Sequence, residues 1–353
     1  MSQAPVSRPT LLALGSAFPR YELSQQEFWD GLLKRWYQKL PNAERIVWST
    51  RVKTRRMAWD PREALGQGNV SLEERMVLHA QVFQEVGARS LSTVLGTVED
   101  RGRIGSLVTC CSTGYTGPNP DLLLAKHFSL RSDLRRTHIG HMGCFAAFNV
   151  LKVAMDSLAA RPKEWVLANC TEFSSLNFRP ESTAEQAVTH ALFGDASASM
   201  LLGNAPDGEG VQVLRTHTEQ FYDTHEMMTL VIKNDGFAMS LSPYVPFVLR
   251  EGIEAYLEKL LGPEGLSVGD IHHWGIHPGG PKIVEMLSAR LGLSAAQQRA
   301  SWSVLEAYGN CASATILLVL EDLLKKDHPR RGEYGVLLAF GPGLTIEGAL
   351  LRF

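Results

Sequence analysis

Apolar positions along this chain alternate between two periods. From Ser71 to Leu91, Met76, Val77, Ala80, Phe83 and Val86 recur at helical spacing. Ser71 and Glu74 supply an S-x-x-E capping box at its start, so the segment predicts a helix. Ser106–Cys111, Trp165–Asn169 and Ala196–Leu202 are short, nearly continuous apolar runs that predict buried strands, the last ending at Gly203. Phe145–Ala160 between them predicts a second helix. A polar break follows at Asn204–Gly210 (NAPDGEG), rich in Gly, Asp and Pro, and is the best candidate boundary. Beyond it, Pro246–Leu261, Pro281–Leu291 and Ser313–Lys326 predict helices. Ile271–Ile276, Tyr334–Phe340 and Leu344–Leu351 predict strands, the last two flanking a GPG turn. Strand, helix, strand recurs in both halves, residues 1–210 and 211–353. That order predicts an α/β protein with helices packed on sheets. A duplicated fold is consistent with it, although no residue-level repetition is visible.

Composition narrows the classes. The chain has 353 residues, 44% hydrophobic and 20% charged, enough for a large core or for two domain-sized halves. A formal charge of −2 offers no general attraction to nucleic acid or to acidic membranes. No run of about 18 apolar residues predicts a membrane span. The opening residues, MSQAPVSRPT, lack the basic-then-apolar profile of a signal peptide. The five cysteines, Cys110, Cys111, Cys144, Cys170 and Cys311, are too few and odd in number for a disulfide framework. A reducing, cytoplasmic setting is the expectation. No phosphate-binding glycine loop and no bound-cofactor motif is present.

Three segments carry candidate chemistry. In Gly140–Ala147 (GHMGCFAA), Cys144 follows a glycine and precedes a helical pattern. A helix N-terminus favours the thiolate, although a buried structural cysteine shares the context. In Trp274–Gly280 (WGIHPGG), His277 ends an apolar strand, held as a base or an oxyanion donor, or as a core histidine. In Tyr308–Ala314 (YGNCASA), Asn310 is either a turn residue or a neutral N–H donor that does not titrate. All three lie beside glycines where a strand or loop meets a helix, and such junctions converge at one sheet edge. Cys110, Cys111 and Cys311 read as packing residues, and Glu172 as a buried, paired carboxyl near the site. His217, Asp223 and His225 match no strong metal spacing and read as loop residues, so no metal is expected.

With these residues the chain resembles the thiolase-fold ketosynthases, in particular the type III polyketide synthases of the chalcone synthase superfamily. The resemblance runs from about Arg45 to the C-terminus. It rests on GCFAA at Cys144, HPGG at His277, YGN at Asn310, ALFGD at Ala191–Asp195 and GPGLTIE at Gly341–Glu347, in the family's order and spacing. It implies duplicated αβαβα layers with two five-stranded mixed sheets, and a homodimer. It implies that Cys144 carries an acyl thioester. His277 and Asn310 would hold the carbonyl oxygen of the second substrate, and His277 would keep Cys144 ionised as a thiolate–imidazolium pair. Phe193 would be the gatekeeper between access tunnel and cavity, and Gly341 and Gly343 would shape the cavity wall. Gly117, Asn177, Met239 and Ala312 stand at or near cavity positions that hold Met, Thr, Phe and Ser in family members.

The basic cluster that receives coenzyme A in the family is thinned. Arg45 remains, but Asn42 and Ser49 replace lysines. Arg51, Lys53, Arg55 and Arg56 are left to contact phosphate, a phosphopantetheine arm or an acidic carrier protein, or to form a solvated face. The chain is similar to free-standing ketosynthases of the α-pyrone antibiotic pathways of the myxopyronin and corallopyronin type. That similarity implies condensation of two β-ketoacyl chains delivered on acyl carrier proteins, followed by lactonisation, with no tightly bound cofactor. The alternative is extension of an acyl-coenzyme A starter by malonyl-coenzyme A. A degradative thiolase would need a second cysteine near the C-terminus. A fatty-acid-initiating ketosynthase fits the ALFGD and GPGLTIE segments less well, and a papain-type hydrolase leaves HPGG unexplained. A non-catalytic partner subunit would usually have lost Cys144.

Overall fold

A computed structural model describes residues 8–60 and 70–353. Residues 1–7, and residues 61–69 within the family resemblance, lie outside the described residues.

Thirteen strands are present among the described residues: β1 Arg8–Ala17, β2 Tyr21–Ser24, β3 Thr54–Met57, β4 Ile104–Cys111, β5 Arg135–Gly140, β6 Trp165–Phe173, β7 Asp195–Ala205, β8 Val211–Gln220, β9 Met228–Lys233, β10 Gly236–Leu241, β11 Ile271–Ile276, β12 Tyr334–Gly341 and β13 Thr345–Arg352. Nine form one mixed sheet in the order β11-β12-β13-β8-β1-β7-β6-β4-β5. Five strands come from the N-terminal half and four from the C-terminal half. They fuse where Thr10 and Leu11 of β1 pair with Gln212 and Val211 of β8. The expected pair of five-stranded sheets is thus realised as five strands plus four, joined. Strands β9 and β10 pair only with each other and form a separate hairpin.

The layering follows from strand alternation, since successive side chains leave opposite faces. In β6, Val166, Ala168 and Cys170 enter one apolar cluster while Leu167 and Phe173 enter another. In β12, Leu337 and Ala339 enter that first cluster, and Val336, Leu338 and Phe340 enter a third. The shared cluster contains two helices, Ala146–Ala160 and Thr315–Lys326, one from each half. Each begins after a 3₁₀ turn, Gly143–Phe145 or Ala312–Ala314. Outer helices complete the stack: Leu72–Leu95 on the N-terminal side, Val245–Leu261 and Pro281–Leu291 on the C-terminal side. The apolar stretch Gly143–Ala160 has the length and hydropathy of a membrane span. Here its apolarity is that of a helix packed between sheet faces.

The predicted helix and strand cores are all present, with small changes of boundary. Helix Leu72–Leu95 buries Arg75, His79, Val82, Phe83 and Val86, whereas Val77 is 56% exposed. The buried face therefore keeps Phe83 and Val86 of the apolar stripe but takes Arg75 and His79 in place of Met76, Val77 and Ala80. Arg75 makes this possible by donating to the carbonyls of Val70, Leu176 and Phe178. A pattern of apolar residues alone cannot register a cation buried in that way. Strand β1 and helix Ala295–Tyr308 were not predicted; the helix has a weak apolar stripe and is held by an N-terminal capping box at Ser294 and Gln297.

At the start of Leu72–Leu95, Ser71 Oγ accepts from Glu74 N at 3.3 Å and the Glu74 carboxylate accepts from Ser71 N at 2.8 Å. Ser71→Ala is expected to cost about 1 kcal/mol. Thermal or denaturant unfolding would read it, with Ser71→Asn restoring most of the loss.

Candidate active site

Strand β5 ends at Gly140, and His141 (φ 56°) and Gly143 (φ 78°) turn the chain sharply into the 3₁₀ turn that carries Cys144 ahead of helix Ala146–Ala160. Gly143 is required twice over. Its φ disfavours a side chain, and a Cβ there would lie 2.9 Å from Pro342. Its N–H donates to Ser112 Oγ at 2.9 Å, which fixes the turn. Cys144 is 8% exposed and lines a cavity of about 730 Å³, counting the part open to solvent.

His277 directly follows β11. Its N–H donates to the Leu338 carbonyl at 2.8 Å, continuing the pairing with β12. The imidazole is fully buried, and neither ring nitrogen has a hydrogen-bond partner.

Asn310 follows helix Ala295–Tyr308 and Gly309 (φ 70°). Its N–H donates to the Leu192 carbonyl at 2.9 Å, and its carbonyl accepts from Gly194 N at 3.0 Å. The side-chain Oδ1 accepts from Ala312 N at 2.8 Å and from Thr315 Oγ1 at 3.3 Å. Those two donors orient the amide, so Nδ2 faces Cys144 Sγ at 3.8 Å. Cys144 and Asn310 therefore meet.

The thiolate–imidazolium pair does not hold in this geometry. No hydrogen bond joins His277 to Cys144. Burial pushes the Cys144 thiol up to about 12, with the Asn310 hydrogen bond opposing it and the Glu172 charge adding to it. Burial lowers His277 to about 3. Both groups are neutral at rest because neither has enough compensation to offset desolvation.

The carboxyl of Glu172, on β6, accepts from Ser112 N and Thr113 Oγ1, each at 2.9 Å, and from Ser313 Oγ at 2.5 Å. Burial raises it to about 7 against those hydrogen bonds. Sequence reasoning flagged Glu172 but missed Ser112, Thr113 and Ser313, whose small polar side chains carry no pattern of their own.

Phe193, Asn177, Met239 and Ala312 line the same cavity as Cys144. Pro342 lines it between Gly341 and Gly343. A Cβ on Gly341 would meet the Phe145 ring at 2.6 Å, and Gly343 has a φ of 137°. Gly117, expected at the cavity, is exposed, precedes Pro118 in a cis peptide and does not line the cavity within this chain. Gln186, Thr189, His190, Leu230 and Phe237 are wall residues the sequence did not reveal. His190 adjoins the ALFGD motif, Gln186 and Thr189 lie on the same helix, Ala184–Leu192, and Leu230 and Phe237 needed the placement of the β9–β10 hairpin.

Among the basic residues, Arg45 is exposed. Arg51 lies over the Trp302 ring at 3.9 Å and within 3.5 Å of Glu285. Lys53 pairs with Glu306 at 2.6 Å. Arg55 is a correction. It is fully buried and donates to the carbonyls of His190, Ala191 and Phe193 and to Gln25 Oε1, so no carrier reaches it. Among the described residues no three His, Cys, Asp or Glu side chains gather as a metal site. His217 instead lies 3.4 Å from Glu219.

Alkylation of Cys144 by iodoacetamide, followed by peptide mass, is expected to rise about tenfold per pH unit from 7 to 10 in the resting enzyme. A plateau near neutral pH would mean that His277 holds the sulfur as a thiolate.

Residues 1–206 match the chalcone and stilbene synthase N-terminal domain, and residues 213–353 match the C-terminal domain. The chain is 32% identical to a protein of Mycobacterium tuberculosis described as alpha-pyrone synthesis polyketide synthase-like Pks18, over 99% of this chain and 93% of the relative. It superposes on PKS-I of the brown alga Ectocarpus siliculosus with a TM-score of 0.92 and 27% identity, covering 99% of this chain and 100% of the other. Against 1,3,6,8-tetrahydroxynaphthalene synthase of Streptomyces coelicolor, a bacterial type III polyketide synthase, the TM-score is 0.91 at 26% identity, covering 98% and 99% of the two chains. Two matched domains spanning nearly the whole chain, on a thiolase fold shared with solved relatives, show that this protein belongs to the chalcone and stilbene synthase family of type III polyketide synthases.

Proposed function

We propose that the chain extends an acyl-coenzyme A starter with malonyl-coenzyme A by decarboxylative condensation and releases an α-pyrone. The observation that carries this reading is the Asn310 amide, aimed at Cys144 Sγ on the wall of a largely apolar cavity. The similarity to an alpha-pyrone synthesis relative supplies the product class.

In this reading Cys144 attacks the starter thioester. The bond to coenzyme A breaks, coenzyme A leaves as the thiol, and the acyl group remains on sulfur. Decarboxylation of the malonyl thioester leaves an enolate, whose oxygen needs donors already in place. The Asn310 Nδ2–H and a His277 ring N–H are suited to that task because neither must be reorganised in a water-poor site. The enolate carbon attacks the Cys144-bound carbonyl, forming the carbon–carbon bond and releasing the sulfur. After further extension, an enol oxygen closes on the thioester carbonyl to give the lactone. Proton transfer from Cys144 to His277 converts two buried neutral groups into an ion pair, a change that substrate entry would have to favour. No tightly bound cofactor takes part in this reading, and the enzyme is proposed to be cytoplasmic.

A homodimer is part of the same proposal. Exposed Tyr115, Leu122, Leu123 and Met142 lie on segments that follow β4 and flank the edge strand β5.

A second reading, condensation of two β-ketoacyl chains held on carrier proteins, is favoured by the tunnel mouth. Asn42 and Ser49 are exposed where family members have lysines, Arg51 and Lys53 are balanced by Glu285 and Glu306, and Arg55 is buried. Little free positive charge is left there for the phosphates of coenzyme A. The relatives, however, lend carrier delivery no support, and the malonyl reading stands first.

Cys144→Ala is expected to abolish the acyl adduct seen by intact-protein mass spectrometry, with Tm unchanged within a few degrees; an unaltered adduct would remove Cys144 from the mechanism. Asn310→Ala is expected to lower turnover by about 10²–10³, the usual cost of one oxyanion donor, while acylation persists. Pyrone formation that needs malonyl-coenzyme A supports the first reading. Formation from two β-ketoacyl thioesters without it supports the second.

A further inference from the structure

Several side-chain protons on the cavity wall are spent within the protein. Thr113 Oγ1 donates to Glu172, Gln186 Nε2 to the Met239 carbonyl and Thr189 Oγ1 to the Glu185 carbonyl. His190 differs. It lies on helix Ala184–Leu192, one turn before Phe193, and lines the cavity while only 1% exposed. The Trp36 ring meets its imidazole edge-on, with centroids 5.2 Å apart, and the Phe178 ring lies at 4.6 Å. Its carbonyl is taken up by Arg55. The imidazole is thus fixed in position and in plane.

Tyr37 decides which ring nitrogen carries the proton. It is also 1% exposed, and its Oη lies 2.6 Å from His190 Nδ1, its hydrogen-bond partner among the described residues. Burial, with the Glu181 charge nearby, raises the phenol's pKa, so Tyr37 keeps its proton. If Nδ1 were the donor, that buried proton would be left without an acceptor, which is costly. Nδ1 therefore accepts from Tyr37, and the hydrogen of the neutral ring sits on Nε2. Burial, with Arg55 and Arg179 nearby, lowers His190 to about 3, so the ring is neutral around pH 7. Nε2 has no partner among the described residues, and unlike the ring nitrogens of His277 it is not sealed away from the cavity.

We propose that His190 is a specificity-determining residue whose Nε2–H donates to a ketone oxygen of the bound β-ketoacyl chain, with Tyr37 as the positioning residue that holds the donating tautomer. This rests on the reading that an acyl chain fills the cavity. A neutral N–H offers a ketone oxygen a hydrogen bond without bringing a proton to give away. A methylene at the same place would leave the N–H unpaired in a water-poor site, and such sites discriminate strongly. The pair would therefore favour chains that keep their keto group over fully reduced ones.

The test measures equilibrium binding of two probes, the N-acetylcysteamine thioesters of 3-oxooctanoate and of octanoate, by calorimetry. Cys144→Ala enzyme is used throughout, so that neither probe reacts. Adding Tyr37→Phe and His190→Phe together removes the donor without stranding the phenol. That change is expected to weaken 3-oxooctanoyl binding about tenfold relative to octanoyl binding, the scale of one hydrogen bond in a water-excluded site. Tyr37→Phe alone is expected to lose part of the preference, and His190→Gln, which keeps an N–H, to retain most of it. An unchanged ratio in the double variant overturns the proposal. So does a histidine ¹⁵N spectrum showing His190 protonated at Nδ1. Octanoyl binding is the separate control. Its absence in the Cys144→Ala enzyme would sink the acyl-chain reading itself, whereas its persistence in the variants shows that the cavity is intact.

Discussion

Everything at this site depends on a two-hydrogen-bond splice between the halves of the chain. Asn310 N donates to Leu192 O, and Gly194 N donates to Asn310 O, so the end of a C-terminal helix is stitched to the end of an N-terminal one. The backbones approach too closely for side chains: a Cβ on Gly309 would lie 2.4 Å from Leu192 O, and one on Gly194 2.3 Å from Tyr308 O. The splice brings Phe193 to the cavity and the Asn310 amide to the sulfur of Cys144. Arg55 secures the same strip from behind by taking up the carbonyls of His190, Ala191 and Phe193. A buried guanidinium is costly alone, and the four hydrogen bonds from its two terminal nitrogens, three to backbone carbonyls and one to Gln25 Oε1, are what make it tolerable here. Burial still brings Arg55 down to about 9, with the nearby Asp195 charge working against that shift.

The second organising feature is a dry, polar seam beneath the cavity. Ser112 holds Gly143 through its side chain and Glu172 through its backbone N–H. Glu172 in turn joins Thr113 and Ser313, which belong to different halves. One carboxyl thus links the turn before Cys144, the end of β4 and the 3₁₀ turn that follows Asn310. Its raised pKa and the neutral resting states of Cys144 and His277 have a common origin, the scarcity of water around them. Such a site costs nothing in charge until substrate brings its own developing negative oxygen, and donors fixed beforehand then count for most.

Much of this was legible in the chain itself. Local periodicity marked the two central helices, the capping box at Ser71 and the buried strands β4, β6, β7, β11, β12 and β13, because each period is a property of neighbouring residues. The glycine-flanked Cys144, His277 and Asn310 segments were visible for the same reason: a sharp turn into a helix needs its glycines nearby in sequence. The resemblance carried by those motifs named the family that the matched domains show.

Tertiary structure alone decided the rest. Whether a cation is solvated or buried depends on which carbonyls come to meet it, and those that receive Arg55 lie more than a hundred residues away. The turn at Gly117 puts that residue on the surface, although its position in the chain suggested the cavity. The union of five strands and four into one sheet is made by two residue pairs between β1 and β8, strands that no local pattern brings together. The sequence by itself therefore determined the elements and the identity of the chemical groups. Their facing, pairing and protonation arise from long-range packing that excludes water, a property of the folded whole that no short stretch of residues encodes.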